Sequence, residues 1–65
     1  MNGLESIYDE CLEYEQAMLA DLDFIERKRT TSYKNGEREK FKRIIPLLDS
    51  IICEAEKYKE FLEQL

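Results

Sequence analysis

Residues 41–65 read FKRIIPLLDSIICEAEKYKEFLEQL, and the spacing of their apolar side chains decides the fold. Phe41, Leu48, Ala55 and Leu62 recur at every seventh position, and Ile44, Ile51, Tyr58 and Leu65 repeat the interval three residues on. Two apolar positions per heptad keep one stripe along an α-helix, so the first set takes position a and the second position d. Pro46 has no amide hydrogen to give to the carbonyl of Lys42. In this register it falls at f, away from the stripe, which predicts a kink in one helix over about residues 37–64. The alternative is a short helix ending near Ile45 and a new one starting at Pro46.

Working outward, the same pattern occurs upstream. Leu4, Ile7, Cys11, Tyr14, Met18 and Ile25 alternate spacings of three and four. The one gap is Asp21, where Leu22 is expected to fill the layer. Asn2 is placed to cap this helix, with Glu5 in the capping-box position. The basic run Arg27-Lys28-Arg29 suits a helix C-terminus. The expectation is a first helix over about 3–29 and a basic loop over about 30–36, because Thr30-Thr31 form helix poorly and Asn35-Gly36 is a strong turn signal. Asn35 or Ser32 would cap the second helix.

Folding the chain back near residue 33 pairs Leu4 with Leu62, Cys11 with Ala55, Met18 with Leu48 and Ile25 with Phe41. Ile7 faces Tyr58 and Tyr14 faces Ile51 in the alternate layers. The residue numbers in each layer type have a constant sum, as an antiparallel hairpin requires. The fold class is therefore all-α: an antiparallel two-helix hairpin forming one domain over residues 1–65.

That seam does not use all the apolar residues. Tyr8, Leu12, Leu19, Leu22 and Phe24 remain on the first helix, and Ile45, Leu47, Ile52 and Phe61 on the second. Energetics point the same way. A compact chain of this size buries roughly 4,000 Å² of apolar surface, contributing about 100 kcal/mol. Ordering 65 residues costs about the same. A monomer is marginal, so the expectation is a homodimeric four-helix bundle, or docking into another protein, with Tyr8, Leu12, Leu19, Leu22, Ile45, Ile52 and Phe61 as the interface.

Charge is divided along the chain. Eight of the ten basic residues lie from Arg27 to Arg43, opposed there only by Glu37 and Glu39, so this stretch carries +6. The remainder, with 13 acidic and two basic residues, carries −11. Arg27, Lys28, Arg29, Tyr33, Lys34 and Arg38 form a basic tip with hydroxyls interleaved, a chemistry able to hold phosphate or a nucleic-acid backbone. The plainer reading is helix-dipole complementation and solubility, because the acidic body repels the same polymer. The acidic body, conversely, fits an inhibitor that mimics nucleic acid.

No catalytic, cofactor or metal site is assigned. Asp9 and Glu13, or Glu56 with Glu60 and Glu63, share helix faces at spacings that suit a divalent cation, but a solvated acidic face explains them more simply. Neither cysteine has a histidine to activate it, as the chain contains none. Cys11 falls on the stripe and Cys53 away from it, which opposes an internal disulfide. Apolar runs are too short to span a membrane and no leader pattern opens the chain, so a cytoplasmic location is the default expectation. The function expected is a small non-enzymatic protein-protein interaction module, an adaptor, inhibitor or regulator.

Overall fold

The computed structural model describes residues 3–65, so the Asn2 cap lies outside the described residues. All regular structure among them is helical: α1 spans Gly3–Asn35, a 3₁₀ helix spans Arg38–Ile44 and α2 spans Ile45–Glu63. α1 and α2 fold back on each other as a hairpin.

The first helix does not stop at Arg29. The Thr30 hydroxyl donates to the carbonyl of Glu26 at 2.9 Å, so the hydroxyl is satisfied within the helix. Arg27 pairs with Asp23 one turn earlier at 2.9 Å. What ends α1 is Gly36, whose φ of +64° turns the chain out of the right-handed helix. Its N–H bonds the carbonyl of Tyr33, and the N–H of Glu37 bonds that of Ser32. This double closure is a Schellman motif. The expected loop over 30–36 thus shrinks to Gly36 and Glu37, and neither Ser32 nor Asn35 caps the second arm, since both belong to α1.

Pro46 changes the helix type instead of kinking one helix. The carbonyl of Lys42, which would have received an α-helical bond from residue 46, accepts the N–H of Ile45. That is the tighter 3₁₀ bond, and it satisfies the group the proline leaves unserved. α2 then begins with Pro46 in its first turn, where a missing N–H costs nothing. The single kinked helix over 37–64 is therefore replaced by two helices, close to the alternative boundary at Ile45.

The seam follows the predicted stripe on α1 and departs from it on α2. Ile7, Cys11, Tyr14, Met18, Asp21 and Ile25 are half-buried, and Ser32, the next step along that row, is fully buried. Asp21 itself occupies its layer, while Leu22 is exposed. On the second arm Ile44, Ile51 and Tyr58 face inward as expected, but their companions are Lys40, Leu47, Glu54 and Phe61. Phe41, Leu48, Ala55 and Leu62 are exposed. The arm is rotated so that the other edge of its apolar arc enters the seam.

The register also differs by one heptad. Tyr14 stacks on Tyr58, with ring centroids 5.4 Å apart and planes within 8°, where Ile51 was expected. Phe61 lies against the same ring at 5.9 Å, and Cys11 adjoins Tyr58, not Ala55. A heptad slip preserves every stripe, so apolar spacing cannot detect it; the position of the turn does. With the turn at Gly36, the start of α1 overhangs the end of α2, and Leu4 is left exposed.

The product is one layer of helices, 55 × 16 × 8 Å along its principal axes. Its radius of gyration is 15.7 Å, against about 11 Å for a compact domain of this length. No hydrophobic side chain among the described residues is buried.

Candidate functional site: an apolar face and a divided basic tip

Helical periodicity assigns the surplus residues to faces. With Ile7, Cys11, Tyr14 and Met18 in the seam, Tyr8, Leu12, Leu19 and Leu22 flank it on one side of α1. With Ile44, Ile51 and Tyr58 in the seam, Phe41, Ile45, Leu48, Ile52 and Leu62 flank it in the same angular sense on the second arm. In an antiparallel pair these two flanks lie on the same side of the layer. Grooves on the surface agree with this division. Met18, Ala55, Tyr58 and Leu62 line one groove and Arg29, Thr30, Tyr33 and Phe41 another, both on the apolar side. On the opposite side run a groove of Glu10, Tyr14, Lys57, Glu60, Phe61 and Gln64 and a cleft of Phe24, Arg27, Lys28, Thr31, Ser32, Lys40 and Arg43.

Six of the seven expected interface residues stand exposed on this face: Tyr8, Leu12, Leu19, Leu22, Ile45 and Ile52. Leu19 and Ile52, at its middle, keep 62% and 55% of their surface in water. Phe61 does not join them, because it is half-buried against Tyr14 inside the hairpin. Phe41, Leu48 and Leu62 take a place on the face that heptad reading gave to the seam. The signal that could have found them is the width of the apolar arc on residues 41–65, which is broader than one seam fills.

The expected basic tip is divided between the two sides. Arg29 and Tyr33 flank the apolar face beside Phe41. Arg27 and Lys28 turn to the other side, where Lys40, Arg43 and the hydroxyl residues Thr31 and Ser32 complete a cleft. Lys34 and Arg38 line neither. Arg27 also lies over the Phe24 ring, 5.7 Å from its centroid. Lys40 pairs with Glu37 at 3.0 Å and Lys42 with Glu39 at 3.1 Å. Among the described residues no ion pair holds Lys28, Arg29, Lys34, Arg38 or Arg43.

Among the described residues one polar side-chain contact crosses the hairpin. The Tyr58 hydroxyl donates to Oε2 of Glu15 at 2.6 Å. The carboxylate holds the phenol proton and pushes Tyr58 well above the ordinary tyrosine range, with the neighbouring Cys11 adding to the effect. A phenol so held is a poor base at neutral pH, and its role is to tie the two helices. Cys11, half-buried, and Cys53, exposed, are both free. Among the described residues no group of three or more His, Cys, Asp or Glu is arranged to hold a metal, and no helix is long and apolar enough to cross a membrane.

The molecule thus belongs to the class of all-α helical hairpins with one apolar face. No protein-family model, curated protein or solved structure matches the chain.

Proposed function

We propose that this chain is a small non-enzymatic protein-protein interaction module that works as a homodimeric four-helix bundle and acts as an adaptor or as an inhibitor or regulator of a partner. The observation that carries this reading is the absence of any buried hydrophobic side chain among the described residues, beside an apolar face running the length of the hairpin. A folded domain needs a second layer to bury such a face. The accessible surface is 5380 Å², against about 4,400 Å² for a compact monomer of 7.8 kDa. The excess of about 1,000 Å² is what one partner contributes to a stable interface, about 800 Å² or more. Sedimentation over a range of concentrations tests this. The expected result is a dimer at micromolar concentration that Leu19→Glu or Ile52→Glu dissociates by at least ~100-fold, since each would bury an unpaired carboxylate. Glu13→Ala, on the polar side, leaves it unchanged. A folded chain that stays monomeric ends the reading.

A second reading rests on the cleft of Arg27, Lys28, Lys40 and Arg43 with Thr31 and Ser32. Four cations and two hydroxyls around one recess suit a phosphate or a nucleic-acid backbone. Retention of an oligonucleotide at low salt that Lys28→Ala with Arg43→Ala abolishes would favour it; no retention at low salt removes it.

A further inference from the structure

We infer that the layer covering the apolar face is a second copy laid tip to base, each basic tip resting on the acidic open end of its partner. The inference rests on the homodimer reading and adds its orientation. Two arrangements bury the same face. Tip to tip, each α1 packs on the copy's second arm. Tip to base, each α1 packs antiparallel on the copy's α1 and each α2 on the copy's α2. Apolar area does not separate them; charge does.

The stretch Arg27–Arg43 carries +6 and the rest of the chain −11. Tip to tip would hold two +6 ends about 10 Å apart, the distance between packed helices. That is close to one Debye length at physiological salt, so their repulsion persists at contact. Tip to base replaces it with attraction at both ends. Opposite charges also border the face where this arrangement needs them. Near the tip Arg29 shares a 280 Å³ cleft with Thr30, Tyr33 and Phe41. Toward the open end Glu15 borders Tyr8 and Leu12, and Glu63, with Lys59 beside it, borders Leu62 in a body whose remaining charge is strongly acidic.

Chain levels fit as well. Leu19 is the middle residue of Gly3–Asn35, so in a tip-to-base dimer it meets its own copy at the two-fold axis. Tyr8 lies five residues inside the start of α1, and Thr30, which lines the cleft with Arg29, Tyr33 and Phe41, lies five residues inside its end. The ring of Tyr8 therefore falls over the partner's cleft between Arg29 and Phe41, and the same contact recurs at the other end. The cleft of Arg27, Lys28, Lys40 and Arg43, on the opposite side, stays outward.

The test is a spin-label distance in the full chain, with Lys34→Cys as the single labelled site in a Cys11→Ala, Cys53→Ser background. Tip to base places the two labels at opposite ends, roughly 45 Å apart at 1.5 Å per residue. Tip to tip brings them within roughly 20 Å. Sedimentation of the native chain supplies an independent measurement that needs no substitution. The tip-to-base dimer weakens several-fold when salt rises from roughly 0.05 to 0.5 M, whereas a tip-to-tip dimer tightens. A long distance with weakening by salt supports the inference. A short distance, or tightening by salt, overturns the orientation while leaving the homodimer reading intact. A monomer at roughly 1 mM overturns both.

Discussion

Toward its open end the hairpin is held by side chains, and at its tip by backbone. Tyr14, stacked on Tyr58 and touching Phe61, joins residues far apart in the chain. At the tip two hydrogen bonds close α1 over Gly36 and Glu37, all within one turn of the chain. The tip is a local structure that a dipeptide can specify, since Asn35-Gly36 supplies the residue that tolerates a positive φ. The aromatic cluster is non-local, and its partners depend on where the turn falls. The Asn35-Gly36 signal therefore marked where the chain reverses, although the loop was expected to be longer, and apolar patterning matched Tyr14 to the wrong layer.

Tyr14→Ala should break the contrast most severely. It removes both ring contacts and the half-buried ring itself, so urea unfolding should show a loss of about 1–3 kcal/mol. A loss under about 0.5 kcal/mol would mean that the cluster does not hold the open end. Gly36→Ala should cost less, about 1 kcal/mol in the same measurement. An added Cβ meets nothing within 4 Å, so the whole effect is conformational.

Alkaline pH sharpens the comparison further. Tyr58 holds its proton more tightly in the folded chain than its unfolded value of 10.0. Its contribution is thus complete below pH 10 and is lost as pH rises through the folded value. Absorbance titration should show Tyr58 ionising later than an unfolded tyrosine, and Glu15→Ala should remove the delay. If the native chain shows no late tyrosine ionisation, the Tyr58–Glu15 tie is absent in solution. The smallest effect belongs to Asp23→Asn. Its bond to Arg27 joins side chains 55% and 70% exposed, and the change in unfolding free energy should stay below about 0.5 kcal/mol.

Much of α1 was legible in its spacing, because Ile7, Cys11, Tyr14, Met18 and Ile25 form one row and that row faces inward. The Thr30-Thr31 pair misled, since intrinsic propensity is overridden here by the burial of Ser32 in the seam and the closure at Gly36 one turn further on. Pro46 announced an interruption but not its form, which depended on the carbonyl of Lys42 finding the N–H of Ile45. Of the residues expected to remain outside the hairpin, Tyr8, Leu12, Leu19, Leu22, Ile45 and Ile52 are exposed, whereas Phe61 is in the seam. Those residues lie on arcs too wide for one seam, whichever edge is buried.

By itself the sequence determined two amphipathic helical arms, a reversal signalled at Asn35-Gly36, and a basic tip on an acidic body. Each depends on periodicity, a single backbone requirement or a charge count, all of which are local or additive. Only the tertiary structure decided the register and the rotation of the second arm. A heptad slip leaves both stripes apolar, and either edge of a broad apolar arc can enter the seam. The two-residue turn selected Tyr58 as the partner of Tyr14, and the seam positions of the half-buried Leu47 and Phe61 sent Leu48 and Leu62 outward beside Ile45 and Ile52. That choice placed the surplus of both arms on one side, and made a hairpin with leftover apolar residues into a layer with an apolar face.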